Sequence, residues 1–149
     1  LTTASKSDRV LLTTTSKVGI KMGDRATFVF EQSNGEAIYL YGHWAGDEMM
    51  NRLATAIDKA SVRWSDETYA TRIAISQIIG DQWDQELSWG ISTYFCDSEH
   101  SVPVVNWMKQ TVSLLPHEWD KKFDMNAEPK FVMSFDNFVK KFSKALTTV

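Results

Sequence analysis

"ATFVFEQSNGEAIYLYGHWAGDEM", residues 26–49, decides how this chain is read. Ala26, Phe28 and Phe30 alternate with Thr27, Val29 and Glu31, which is the period of a strand with one buried face. "QSNGE" then breaks the pattern, and Asn34-Gly35 suits the positive φ angles of a tight hairpin turn before a second strand from Ala37 to about Gly42. The alternation that sends Ile38 and Leu40 into a core sends Tyr39, Tyr41 and His43 to the other face. Gly46-Asp47 reads as the turn from this strand into a helix.

Working outward from the hairpin, Met49, Leu53, Ala56, Ile57 and Ala60 recur at helical spacing and form the stripe of an amphipathic helix. In "WSDETYATRIAISQIIGD", residues 64–81, Ser65 is the expected N-cap, Asp66 and Glu67 suit the N-terminal dipole, and Gly80 is the expected stop. Ile73, Ala74, Ile75, Ile78 and Ile79 leave this helix little polar face, so burial is expected. "WGISTYF" at 89–95 alternates again, and "SVPVVNW" at 101–107 is expected to return beside it as a second hairpin, with Pro103 marking an edge or bulged strand. Residues 108–133 show no sustained period. Ser134 caps a final helix that bears Phe135, Phe138, Val139, Phe142, Ala145 and Leu146. Residues 1–17, rich in Thr and Ser, are expected to be a mobile arm, and 18–149 a single domain. The expected fold class is α+β: an antiparallel sheet of two β-hairpins with about three helices on one face.

A chain of 149 residues can bury an adequate core without staples. Its single cysteine, Cys96, excludes an internal disulfide within the chain and a cysteine-based zinc cluster, and fits a reducing compartment such as the cytoplasm. No apolar run is long enough to span a membrane, and the N-terminus lacks the continuous apolar core of a signal peptide. The net charge of −3 is unevenly spread: residues 31–100 hold 4 basic and 12 acidic groups. Such a surface is poor for a phosphate backbone, so nucleic acid is not the expected partner.

Candidate chemistry gathers on the face of Tyr39, Tyr41 and His43. His43 could serve as a general acid or base oriented by Asp47 or Glu48, or the three rings could simply pack beneath another part of the chain. His100 in "CDSEHS" could complete a two-histidine site with it. His117 is the third histidine, and no HxH, HxxxH or HExxH spacing points to a metal, so neither a metal nor a cofactor is expected. No nucleophile elbow or phosphate-binding glycine loop is present, and the acidic neighbours of Cys96 disfavour a thiolate. Arg63 and Arg72 are expected to pair with Asp66, Glu67 or a carboxylate on the sheet, or else to meet an anionic ligand.

The segments "IYLYGHWAGDEM", "VRWSDETYATRIAISQII" and "WGISTYFCDSEHSVPVVNW" resemble a family of small uncharacterised proteins of tailed bacteriophages and prophages, over roughly residues 25–107. The resemblance brings no activity. It implies a phage-encoded accessory protein at work in the host bacterial cytoplasm, and it maps the shared motifs onto Tyr41, His43, Trp44, Trp64, Asp66, Tyr69, Arg72, Gly90 and Ser92. The preferred expectation is a non-enzymatic protein that binds a host or viral protein through Tyr39, Tyr41, His43, Trp44, Arg72 and His100. The rivals are a small ligand-binding domain or hydrolase-like enzyme on the Tyr41/His43 face, and a self-assembling virion component. Homodimerisation through an exposed edge at 101–107 is also expected.

Overall fold

Asn34 and Gly35 form the expected turn: Gly35 sits at φ 91°, and the Asn34 carboxamide oxygen accepts from the Glu36 N–H at 3.0 Å. That turn sets the register of strands β1 (Ala26–Glu31) and β2 (Ala37–Gly42), which pair antiparallel from Ala26 opposite Gly42 to Glu31 opposite Ala37. The structure, a computed structural model, describes residues 23–143. The expected arm at 1–17, the start of the domain at Val18, and Ala145 and Leu146 of the last helix lie outside the described residues.

The rest of the sheet departs from the expected pattern. Strand β3 (Trp89–Ser92) pairs antiparallel with β2, but it does not form a hairpin with β4 (Val102–Asn106). Instead β4 lies parallel to β1, with Val29 opposite Val104, and makes its hairpin with β5 (Thr111–Leu115). Strand β6 (Phe131–Ser134) closes the order β3-β2-β1-β4-β5-β6, a mixed six-stranded sheet. The physical reason lies in the unbroken run Val102–Val105, every residue of which is buried. A strand covered on both faces does not alternate, and it belongs inside a sheet. Pro103 is accommodated because the recorded pairing with β1 begins one residue later, at Val104. Strand β4, residues 102–106, is therefore paired on both sides and does not form the exposed edge expected there.

Among the described residues, three helices cover one face. Helix α1 (Met49–Lys59) buries Met49, Leu53, Ala56 and Ile57 of the expected stripe together with Ala54, and Ala60, the last of that stripe, is buried in the turn that follows. Helix α2 (Glu67–Ile79) buries Ala70, Thr71, Ala74, Ile75, Ile78 and Ile79, and it ends at Gly80 with φ 64°. Its N-cap is Asp66 rather than Ser65: the Asp66 carboxylate accepts from the Tyr69 N–H at 3.4 Å, the reach that a cap one residue earlier would lack. Helix α3 (Phe135–Phe142) starts where expected, its Ser134 hydroxyl accepting from the Asn137 N–H at 3.2 Å. These helices pack on Phe28, Phe30, Leu40, Val105 and Val112 of the sheet. At the heart of that layer Trp107 stacks on Phe30 and donates its indole N–H to the Thr71 hydroxyl at 3.0 Å. Among the described residues, no helix is long and apolar enough to cross a membrane.

The opposite face is covered by loops. Val29, Val102, Val104 and Leu115 form a second apolar cluster, on which Tyr39, Phe95, Phe123 and Met125 pack. Phe95 stacks on Phe123 at 4.5 Å between ring centroids and meets the edge of Tyr39 and of His117. The segment from β3 to β4 supplies Phe95, and the segment from β5 to β6 supplies Phe123 and Met125. Connecting strands from opposite sides of the first hairpin requires the chain to cross this face, and the crossing seals it.

Candidate functional site

Beyond the Phe95 layer, the end of the sheet near Gly42 gathers most of the polar groups singled out in the sequence. The Tyr41 phenol lies 3.1 Å from His43 Nδ1, a pairing set by their two-residue spacing at the end of β2. Burial pushes the Tyr41 phenol up to about 12; the Arg25 guanidinium opposes this, while Asp97, Cys96 and Glu99 reinforce it. The phenol therefore holds its proton at neutral pH, and the direction of its hydrogen bond with the ring follows the His43 tautomer. His43 Nε2 lies over Gly23, where a Cβ would stand 2.5 Å away.

His100 arrives from the loop before β4. Its Nε2 is 2.6 Å from the Asp24 carboxylate, whose side chain is 9% exposed against 36% for the imidazole. Asp24 is in turn fixed by its backbone, donating its N–H to the His43 carbonyl and accepting from the Gly46 N–H at 2.9 Å. Gly46 is needed here because a Cβ would run into both the His100 ring and the Asp24 carboxylate. Next to this pair, Arg25 bridges Asp97 at 3.4 Å and Glu99 at 3.2 Å, and the Glu99 N–H donates to the Arg25 carbonyl. The buried Ser98 hydroxyl donates to the His100 carbonyl and accepts from the His100 N–H. Residues 97–100 are thereby clamped across the mouth of β1.

The structure thus brings Tyr41, His43 and His100 to one region around Asp24, a residue not singled out from the sequence. Asp47 and Glu48 are exposed in the turn before α1, and the carboxylate beside an imidazole is Asp24 instead. Trp44 is exposed, with its ring edge-on to His43 at 4.8 Å. Tyr39 is half-buried in the second apolar cluster, where burial, and then Glu31, raise its phenol above the ordinary value. Arg72 stays apart, exposed on α2 in the helical layer beyond the sheet. Arg63 lies over the Tyr69 ring at 5.1 Å, a cation–π contact in place of the expected ion pair, and Glu67 is taken up by Ser33.

Hollows among the described residues lie elsewhere. One of about 670 Å³ is bounded by Arg63, Trp64, Asp66, Glu67 and Met108. Another of about 440 Å³ adjoins Glu31, Glu36 and Tyr39, and one of about 160 Å³ runs between β3 and the turn after α2. Among the described residues, no group of three or more His, Cys, Asp or Glu is arranged to hold a metal ion. The hydrogen bonds and ion pairs of the polar cluster join parts of the chain to one another. No protein-family model, curated protein or solved structure matches this chain.

Proposed function

We propose that the protein is a non-enzymatic binding module, a phage-encoded accessory protein whose partner is a host or viral protein. The observation that carries this reading is the set of large apolar side chains left in water around β3. Trp83, Leu87, Ile91 and Tyr94 are all exposed although both faces of the sheet are covered. Isolated exposed apolar residues are ordinary, but a group gathered at one edge is the composition of an interface. Aromatic and aliphatic anchors of this kind supply most of the energy of protein association.

A second reading, favoured by the 2.6 Å contact of His100 with Asp24, is a ligand site that uses the imidazoles as acid or base. Co-purification from host lysate with the full chain separates the two. A partner retained by the His43→Ala and His100→Ala variants, and lost on Trp83→Ala with Leu87→Ser, is the expected result. Loss with the histidine variants alone would transfer the function to the polar cluster.

A further inference from the structure

β3 ends the sheet: one side pairs with β2, and the other carries no strand among the described residues. Such an edge takes up an extended segment by backbone hydrogen bonding, and alternate side chains of the guest fall on the two faces. On the helix side they would meet the hollow of about 160 Å³, walled by Ile79, Trp83, Trp89 and Ile91. Trp89 is fixed there, its ring across Gly42 and its indole N–H donating to the Gln82 carboxamide oxygen at 2.5 Å. Leu87, 75% exposed, and Ile91, 50% exposed, stand at the rim. Between them Ser88 holds φ 89°, and its carbonyl accepts from the His43 N–H at 2.8 Å. The approach to the edge is therefore fixed before a guest arrives, which lowers the entropy lost on binding.

Charge says what kind of guest fits. From Ile73 to Met108 the sequence has five carboxylates, Asp81, Asp84, Glu86, Asp97 and Glu99, and no Lys or Arg; Arg25 takes up the last two, which leaves the charge to the others. The first three are exposed and interleave with the residues of the hollow. Arg52, which reaches this end of α2 from α1, is directed to the Ile78 carbonyl at 3.5 Å. A field of one sign beside an open edge attracts the opposite sign and rejects its own. Resting on the binding reading above, we propose that the β3 edge takes an extended, Lys- or Arg-rich segment of a partner protein, with apolar side chains at alternate positions filling the hollow.

Selection of random peptides against the immobilised full chain tests this without presuming a sequence. Enriched peptides are expected to be basic, with alternating apolar residues, and to bind at least about tenfold more weakly to Ile91→Asp. Methylating alternate backbone nitrogens on the guest should abolish binding. A triple variant, Asp81→Asn, Asp84→Asn and Glu86→Gln, leaves the core untouched and carries the test should Ile91→Asp unfold; it too should bind at least about tenfold more weakly at low salt, where the Debye length is long. Peptides without a basic excess, or binding that ignores these substitutions or the methylation, would overturn the proposal while leaving the binding reading intact. A dimer in sedimentation that Ile91→Asp dissolves would make a second copy the occupant and overturn it. Absence of any enriched peptide would overturn it too, and the co-purification result then decides the binding reading separately.

Discussion

Tyr41 and Gly46 show how single side chains fix the polar end of the sheet. Because the Tyr41 phenol is pushed up to about 12 from 10.0, it keeps its proton over a range in which the unfolded chain has lost it. The bound proton favours the folded state, so this contribution is fully present below pH 10.0 and is lost as pH rises through about 12. A tyrosinate absorbance titration should show one of the four tyrosines ionising near that upper value, and Tyr41→Phe should remove that step. Gly46→Ala forces the His100 ring or the Asp24 carboxylate aside, and a loss of about 1–3 kcal/mol is expected from urea unfolding. A loss below the error of that measurement would mean that the clamp relaxes freely. Ser88→Gly acts in the other direction. Relief of φ 89° should outweigh the added freedom of the unfolded chain and raise stability by about 1 kcal/mol. The Tyr41–His43 pair was legible in the sequence because a strand returns to the same face every second residue. The His100–Asp24 pair was not, since it joins residues separated by 76 positions through a chain crossing that local periodicity does not encode.

Elements differed in how plainly they were written. The first hairpin, the stripe of α1, the Gly80 stop of α2 and the Ser134 cap of α3 all follow from local chemistry, and each is present. Removing the cap by Ser134→Ala should cost about 1 kcal/mol, read from the urea midpoint, because the Asn137 N–H loses its acceptor. β5 and β6 escaped the sequence reading for the opposite reason. Neither alternates in hydrophobicity, since Leu114 and Leu115 are adjacent in β5 and Val132 stands exposed between Phe131 and Met133 in β6, and the turn before β5 is made by "WMKQ". There Gln110 holds φ 54° without the Gly or Asn that announces such a turn. At β4 two local signals compete: Pro103 points to an edge strand, whereas the buried run around it marks an interior one, and burial prevails.

For the whole molecule, the sheet order predicts how stability is distributed. β1 and β4 lie inside the sheet and are buried on both sides, while β3 and β6 lie at its ends. Amide hydrogen exchange should therefore be slowest in β1 and β4 and fastest among strands in β3 and β6. Equal protection in β3 and β1 would signal that something already occupies the β3 edge in the free protein. The same order places the exposed apolar group and the polar cluster at the β3 side of the sheet: β3 pairs with β2, and β2 leads into His43. A guest strand at β3 would thus lie one strand away from Tyr41.

The sequence by itself determined the α+β class, the first hairpin, the helical faces and the side of the sheet on which Tyr39, Tyr41 and His43 stand. Each of these is settled by forces acting over a few residues: alternation, capping and the φ preferences of Asn and Gly. The tertiary structure alone decided that β4 would join β1 in parallel, that Phe95 and Phe123 would cover the second face, and that Asp24 would meet His100. Those outcomes depend on which distant apolar surfaces find each other and on the path the chain must take between them, a choice that burial makes across the whole molecule.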